Sequence, residues 1–248
     1  MRVVEFLGAP GSGKSTIADL LPAHLEEAAS LPETVRSAIA RHGSDRMTRV
    51  AARLTRSAES RLWNAAYARS TDRFAALTRF TAAHRDAIDA IVSMQRERAV
   101  RDLRPDLVLD WVLNLAARYQ LATEGGESGL LVIDEGFAQR GVALLAGGFE
   151  ESDLSLLAPY LGSMPRPDAV VMVDTPLDVC WNRLELGGWS QRLDGVDAVG
   201  RRRFLEATLS LSSRIASDLE ESGARVIWVS GTTPVSDSVV LIAATLQC

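Results

Sequence analysis

The chain opens with the largely apolar run Val3-Val4-Glu5-Phe6-Leu7 and continues with Gly8-Ala9-Pro10-Gly11-Ser12-Gly13-Lys14-Ser15-Thr16. The second part matches the pattern G-x-x-x-x-G-K-S, and apolar residues follow it at helical spacing: Ile17, Leu20, Leu21, Leu25 and Ala28. The pattern therefore lies between a predicted strand and a predicted helix, which is where a phosphate-binding loop occurs. The alternative is a glycine-rich turn without a ligand, and the agreement of the pattern with both of its flanks argues against it.

The residue types in this loop suit a nucleotide phosphate. Its glycines let the backbone curl so that N–H groups point inward at the start of the helix, where they hold phosphate oxygens. Lys14 is predicted to reach the β- and γ-phosphates as a catalytic residue, and the Ser15 hydroxyl to ligate Mg²⁺. Lys14 is also the only lysine in the sequence, at a position where a compact charge is needed. We predict that the loop binds the nucleotide through Gly8, Ala9, Pro10, Gly11, Ser12, Gly13, Lys14, Ser15 and Thr16.

Length and composition indicate a globular chain. With 248 residues, of which 47% are hydrophobic and 24% charged, there is enough apolar material for one large domain over residues 1–248 that includes a helical insertion. No apolar run approaches the roughly 18 residues of a membrane span, and Met1 leads directly into a strand rather than a signal peptide. We therefore expect a cytoplasmic protein with no membrane partner.

Cysteine and histidine residues give no sign of a metal site or a disulfide framework. Cys180 and Cys248 are far apart and lack CxxC spacing, and the three histidines, His24, His42 and His84, are scattered. Each histidine is expected to be an ordinary helix residue.

The charge distribution is asymmetric. The net charge is −5, yet residues 36–104 contain 15 arginines and 7 acidic residues, which makes that segment +8. A basic segment of this kind faces an anionic substrate or a nucleic acid, or is simply a solvated helix surface, which is the more frequent case. The sequence has no interleaved aromatic and basic residues of the sort that stack on single strands, so a nucleic-acid partner is not expected.

A second acidic motif follows a buried strand. The run Leu130-Leu131-Val132-Ile133 ends in Asp134-Glu135-Gly136. Parallel strands of an open α/β sheet bind ligands at their carboxyl ends, so this segment has the form of a Walker B strand. We predict that Asp134 and Ser15 hold Mg²⁺.

Between these two motifs, residues 36–127 read as a helical block without a strand. Two stripes of apolar residues follow a 3.6-residue period, and Pro105 is predicted to separate two helices. Before the block, the break at residues 30–35 is interpreted as a short second strand or a loop. After it, residues 124–129 form a turn-rich break.

The second half of the chain alternates strands and helices. Strands are predicted over residues 169–173 and 225–229, and helices over residues 201–221 and 235–246. Thr175-Pro176-Leu177-Asp178 resembles a capping box that starts another helix, and a glycine- and charge-rich interruption spans residues 187–200. This alternation predicts a parallel, three-layer α/β sheet.

These motifs resemble those of the P-loop kinases of small molecules, chiefly the nucleoside and nucleotide kinases, including those similar to thymidylate kinase. The resemblance covers roughly residues 2–29 and 130–248. It implies an α/β P-loop NTPase fold with a large helical insertion, a substrate-binding block at about 36–127 and a lid at about 183–203. It also implies that Arg183 and Arg192 supply catalytic charges from the lid, and that Thr232 and Pro234 lie against the nucleotide base.

One departure from the family concerns the acceptor. Thymidylate kinases carry Asp-Arg after the acidic strand, whereas this chain has Asp134-Glu135-Gly136 and its next arginine is Arg140. A contact to the phosphate of a nucleoside monophosphate therefore does not transfer to this sequence.

The function that follows is ATP-dependent phosphoryl transfer, with ATP and Mg²⁺ as cofactors, to a small-molecule, nucleoside or nucleotide-like acceptor. If the acceptor is a hydroxyl, a carboxylate must take or orient its proton, and Glu135 is the first candidate and Glu33 the second. A sugar, antibiotic or other secondary-metabolite kinase is an alternative within the class. A nucleotide-binding ATPase or switch that docks a protein or nucleic acid is the alternative from another class. The preference between ATP and GTP stays open, as does a homodimer.

Overall fold

A parallel sheet forms the centre of the computed structural model, which describes residues 1–55, 57, 60–98, 103–125 and 129–247. The five strands of this sheet are β1 (Arg2–Leu7), β2 (Ala28–Ser30), β3 (Leu130–Ile133), β4 (Ala169–Asp174) and β5 (Arg225–Ser230). Their order across the sheet is β2-β3-β1-β4-β5, and every neighbouring pair is parallel. The predicted three-layer parallel α/β fold is confirmed.

Helices cover both faces of the sheet because the central strands are apolar on both sides. Val4 and Phe6 of β1 belong to a core cluster on one face, and Val3 and Leu7 belong to a larger cluster on the other. The helices are α1 (Lys14–Leu20), α2 (Leu31–His42), α3 (Arg46–Leu54), α4 (Arg61–Ala68), α5 (Thr71–Ala83), α6 (Arg85–Arg98), α7 (Pro105–Glu124), α8 (Phe137–Ala146), α9 (Leu157–Ser163), α10 (Leu177–Gly187), α11 (Ala198–Glu221) and α12 (Val235–Gln247). Short 3₁₀ turns cover Leu21–His24, Glu151–Leu156 and Gln191–Leu193.

The helical block between β2 and β3 is more divided than predicted. Its described residues form the six helices α2 to α7 rather than two, although no strand interrupts them, as expected. Side-chain caps start some of these helices: Asp45 accepts hydrogen bonds from the first turn of α3, and Ser70 does so for α5. The predicted continuous stripe breaks at His84, whose backbone leaves the helical region between α5 and α6. Pro105 lies where predicted, in the first turn of α7.

Three local predictions need correction. The break at residues 30–35 is neither a loop nor a separate strand, since β2 ends at Ser30 and α2 begins at once with Pro32 in its first turn. The capping box at Thr175 is wrong, because no side chain caps α10 and the Thr175 hydroxyl instead donates to the Ser12 carbonyl oxygen at 3.1 Å. Helix α11 starts three residues earlier than predicted because Asp197 accepts a hydrogen bond from Gly200 N–H.

The expectations about membrane helices, metal sites and cysteines can be compared with the structure only in part. In the described ranges no helix combines the length and apolar character needed to cross a membrane, and no group of three or more metal-ligating side chains occurs there. Cys180 is a free, buried thiol, whereas Cys248 and residues 126–128 of the predicted break lie outside the described residues.

Candidate functional site

The glycine-rich loop joins β1 to α1 in the curled conformation that its sequence predicts. Gly11 has a φ of +78°, and a Cβ there would lie 2.7 Å from the Cys180 carbonyl oxygen, so only glycine fits. Gly13 has a φ of +96° and directly precedes α1. Lys14 is 6% exposed, while Ser15 and Thr16 are exposed at the start of the helix. The loop is thus held in one shape with its lysine directed into the protein.

Two side chains from distant parts of the chain hold this loop in place. The Gln139 Oε1 atom accepts a hydrogen bond from Gly8 N–H at 3.0 Å. Arg183 of α10 donates from Nη1 to the carbonyl oxygens of Gly11, at 3.2 Å, and Ser12, at 3.0 Å. Its Nη2 donates to the Gly231 carbonyl oxygen at 2.9 Å. Arg183, which the family resemblance assigns to a lid, therefore contacts the back of the phosphate loop.

Asp134 and Ser15 meet at the carboxyl end of β3, as predicted. Burial raises the pKa of Asp134, although Lys14 and the Ser15 hydroxyl both lie close enough to lower it. The Asp134 Oδ1 atom is buried and has no hydrogen-bond partner among the described residues. A buried carboxylate oxygen without a donor is costly unless a cation binds it, and a carboxylate beside a hydroxyl is a donor set that suits Mg²⁺. These two side chains therefore fit the predicted metal.

Glu135 lies between two positive charges. Its Oε2 atom is 2.9 Å from Nη2 of Arg140, and its Oε1 atom is 3.9 Å from Nζ of Lys14. Burial by itself raises the pKa of Glu135, but the charges of Arg140 and Lys14 outweigh burial, so the pKa lies below its ordinary value. The carboxylate is ionised at neutral pH and is directly connected to the lysine of the phosphate loop.

A cavity of about 300 Å³ opens beside these charges. Lys14, Glu135 and Arg140 line it together with Trp111 of α7. The Cζ atom of Arg140 lies 5.6 Å from the centre of the Trp111 ring, which is a cation–π contact. The cavity is adjacent to the loop lysine, so a small molecule bound there would lie next to a terminal phosphate.

Arg192 lines the same cavity but its guanidinium is already bonded. It is 2% exposed and donates from Nε to the Leu103 carbonyl oxygen at 2.7 Å and from Nη1 to that of Ala143 at 2.6 Å. Its Cζ atom also lies 5.4 Å from the centre of the Phe204 ring. In this conformation Arg192 connects the lid segment to α8 and to Leu103, which precedes α7, and its catalytic role stays a prediction.

A second cavity, of about 580 Å³, lies on the other side of Asp134. Ser30 and Glu33, at the junction of β2 and α2, line it. The Glu33 carboxylate is paired with the Arg36 guanidinium at 2.8 Å. Glu33, the second candidate base, thus shares a cavity with Asp134 but not with Glu135.

Gly231-Thr232-Thr233-Pro234 lies against the phosphate loop. A Cβ on Gly231 would lie 2.4 Å from the Ser12 carbonyl oxygen and 1.9 Å from Thr175 Oγ1, so the two loops approach as closely as backbone allows. Thr232 and Pro234 are exposed beside this contact. Their contact with a nucleotide base stays a prediction.

The arrangement of sheet, loop and helices is shared with known proteins. It is similar to a deoxyadenosine kinase from M. mycoides with bound dATP, with a TM-score of 0.53 and 11% sequence identity, over 99% of this chain and 100% of that chain. A structure of that kinase with the products dCMP and a flexible dCDP bound gives a TM-score of 0.53 and 10% identity, over 99% of this chain and 98% of that chain. The chain has the fold of a P-loop nucleoside kinase. No protein-family model and no curated protein matches the sequence.

Within this kinase fold, Gln139 and Trp111 are site residues that sequence reasoning missed. Gln139 lies on α8, the helix that follows the Walker B strand. That position could have identified it from the sequence, since the helix after such a strand starts beside the phosphate loop. Trp111 gave no signal of its own, because its place in an apolar helical stripe indicates a core residue.

Glu5 of the kinase fold is a buried acid that fixes the start of α8. It is 1% exposed, on the central strand, and its Oε2 atom accepts a hydrogen bond from Ala138 N–H at 3.0 Å. A Cβ on Gly136 would lie 2.1 Å from Glu5 Cδ, so the carboxyl group also restricts the backbone after Glu135. Burial raises the pKa of Glu5 to about 7, against the lowering effect of the Ala138 and Phe137 N–H groups and of Arg140.

Proposed function

We propose that the protein is an ATP-dependent phosphotransferase that moves the γ-phosphoryl group of ATP to a small nucleoside or nucleotide-like acceptor. The observation that carries this proposal is the convergence of Lys14, Glu135 and Arg140 on one cavity beside the phosphate loop. An ATPase needs the loop and the metal ligands alone. A transferase also needs a walled space for an acceptor next to the γ-phosphate, and this cavity is such a space.

The loop and its lysine position the nucleotide in this proposal. Gly8 N–H is bonded to Gln139, so N–H groups of the loop after Pro10 hold the phosphate oxygens, and Lys14 neutralises charge on the β- and γ-phosphates. Ser15 and Asp134 hold Mg²⁺, which neutralises the charge that develops during transfer. Arg183 and Gln139 keep the loop preorganised, so that little energy is lost in ordering it when ATP binds.

Glu135 is the proposed base for a hydroxyl acceptor. It is ionised at neutral pH and lines the cavity, so it can accept a hydrogen bond from the acceptor hydroxyl and take its proton. As the new P–O bond to the acceptor forms, the bond from the γ-phosphorus to the β,γ-bridging oxygen breaks and ADP leaves. Arg140 fixes the orientation of the carboxylate. Arg192 is the residue that we propose supplies positive charge from the lid after its bonds to the Leu103 and Ala143 carbonyls exchange for bonds to phosphate.

The class of acceptor is supported by the structural similarity. The similar structures are of a kinase with deoxynucleotides bound, and we infer from the shared fold that this chain takes a nucleoside or a related molecule. A sugar, antibiotic or secondary metabolite with a hydroxyl group fits the same chemistry. We place the protein in the cytoplasm as one domain over residues 1–248, in line with the sequence expectation.

Formation of ADP in the presence of candidate acceptors tests this function. Nucleosides, nucleotides, sugars and amino-alcohols are screened with ATP and Mg²⁺, and at least one is expected to raise ADP formation and to appear phosphorylated by mass spectrometry. Lys14→Ala is expected to abolish transfer. The control is Arg214→Gln, which removes an exposed arginine that pairs with Asp218 on α11 and should leave transfer intact. Steady hydrolysis that no acceptor stimulates would favour the ATPase alternative instead.

A further inference from the structure

Two arginines and a tyrosine form a cluster in the helical block. Tyr67 of α4 is 2% exposed, and the Cζ atom of Arg118, on α7, lies 5.1 Å from the centre of its ring. Arg73 of α5 is near enough for its charge to act on the Tyr67 hydroxyl. Three helices therefore bring two guanidinium groups and a phenol together.

The polar atoms of this cluster lack the partners that burial normally requires. Arg73 Nε and Arg118 Nε are buried without a hydrogen-bond partner in the part of the chain that the structure describes. Among those residues, only the Arg118 side chain approaches the buried Tyr67 hydroxyl for a hydrogen bond. Burial raises the pKa of Tyr67 to about 12, so its hydroxyl is a proton donor at neutral pH. Buried donors are nearly always paired in folded proteins, so these groups indicate a missing acceptor.

The charge of the cluster is also unbalanced. Arg73 has one acidic neighbour, Asp110, at 3.5 Å, and that carboxylate is 69% exposed, so it is largely solvated. Among the described residues Arg118 has no ion pair. Arg73 is one of the 15 arginines that give residues 36–104 an excess of eight positive charges, and Arg118 lies outside that segment.

Helix α7 links the cluster to the candidate acceptor cavity. Trp111, which lines that cavity, and Arg118 are seven residues apart on α7 and therefore lie on the same helix face, about 10 Å apart along its axis. Side chains of a helix lean toward its N-terminus, which directs Arg118 back toward Trp111.

We propose that Arg73, Arg118 and Tyr67 form an anion-binding subsite, and that it receives a carboxylate or phosphate group carried by the phosphoryl acceptor. The subsite itself stands on the cluster, whereas its assignment to the acceptor rests on the proposed function. The acceptor is then a molecule that carries an anionic group in addition to the hydroxyl that it presents near Glu135. Two guanidinium groups and a hydroxyl match the several acceptor oxygens of such a group.

Calorimetric titration of inorganic phosphate, with acetate in parallel, tests the subsite. The full chain with Lys14→Ala is used as background so that phosphate binding by the loop is weakened. Each of two test substitutions, Arg118→Gln and Tyr67→Phe, is added to this Lys14→Ala background. The matched control is Arg85→Gln, which removes an exposed arginine of the same basic block. We expect Arg118→Gln to weaken anion binding about tenfold or more and Tyr67→Phe about threefold or more, with no change in Arg85→Gln.

The outcomes separate the subsite from the proposed function. Absence of binding by both anions, or equal weakening by Arg118→Gln and Arg85→Gln, overturns the subsite. Binding of one anion alone identifies the group that it takes. With Lys14 present, Arg118→Gln should lower kcat/KM for an anionic acceptor but not for the same acceptor without its anionic group. Anion binding through Arg118 in a protein that phosphorylates no acceptor would keep the subsite and reject the kinase assignment.

Discussion

The Arg140 guanidinium holds the Glu135 carboxylate at 2.9 Å, and both residues face the cavity next to Lys14. Arg140 is itself held against the Trp111 ring. A carboxylate fixed in this way cannot rotate freely, and the nearby charge keeps it ionised.

Replacing Arg140 tests whether its ion pair with Glu135 positions that carboxylate as the base. In Arg140→Gln the lowering effect on the Glu135 pKa is lost, so the carboxylate is protonated at a higher pH than in the wild type. We expect kcat/KM to fall about 100-fold and the acidic limb of its pH profile to move to higher pH. Arg140→Lys keeps the charge and should restore part of the shift. A profile whose acidic limb stays in place would show that Glu135 is not the titrating base.

Replacing Arg183 separates two roles for that residue. Its bonds to the Gly11, Ser12 and Gly231 carbonyls predict that it shapes the nucleotide site before catalysis. We therefore expect Arg183→Gln to raise the KM for ATP about tenfold, with a smaller change in kcat. A loss of kcat at unchanged KM would instead support the transition-state role that the family resemblance implies.

Local sequence patterns were sufficient to predict the centre of this molecule. The loop from Gly8 to Thr16 and the acid at Asp134 each follow a short apolar strand, and the physics that makes them recognisable acts over a few residues. The predicted strands and the parallel sheet are confirmed for the same reason. The exception is β2, because three residues at the edge of a sheet carry almost no periodicity.

The hydrogen bonds that hold the site in place could not be predicted, because they join residues that are distant in sequence. Gly8 and Gln139 are hydrogen-bonded across 131 positions, and no pattern within either segment reveals the other. The family resemblance implies that Arg192 belongs to a lid, but no local pattern predicts its bonds to the Leu103 and Ala143 carbonyls. The six helices of the insertion also depended on caps such as Asp45, whose effect is decided by hydrogen bonds rather than by hydrophobic period.

Replacing Asp134 tests the metal site. Its unpartnered Oδ1 atom is proposed to bind Mg²⁺, and an amide binds the ion much more weakly than a carboxylate does. Asp134→Asn should therefore raise the Mg²⁺ concentration needed for half-maximal activity and lower kcat at saturating metal. Asp178→Asn, at the first turn of α10, is the control and should leave the metal dependence unchanged. If Asp134→Asn also leaves the metal dependence unchanged, Asp134 is not a ligand of Mg²⁺.

The raised pKa of Glu5 predicts that the unfolding free energy of the protein depends on pH. The pKa of Glu5 is about 7 in the folded protein, whereas the ordinary value of a glutamate, which applies to the unfolded chain, is 4.5. Between these values the folded state holds a proton that the unfolded chain has lost. The unfolding free energy must then decrease as the pH rises through this window, and the contribution is fully present only below about 4.5. A difference of this size between the folded and the unfolded pKa contributes about 3 kcal/mol to the unfolding free energy.

Glu5→Gln should remove this dependence, because glutamine keeps the hydrogen-bond acceptor for Ala138 N–H but does not titrate. We expect the variant to gain stability relative to the wild type as the pH rises from about 4.5 to about 7, with no further gain above that range. Urea unfolding at a series of pH values measures the difference. Glu26→Gln, an exposed acid outside the sheet, is the control and should remain parallel to the wild type. If Glu5→Gln also stays parallel to the wild type at every pH, the buried carboxyl group has the same proton affinity in the folded and unfolded states, and burial against α8 does not perturb it.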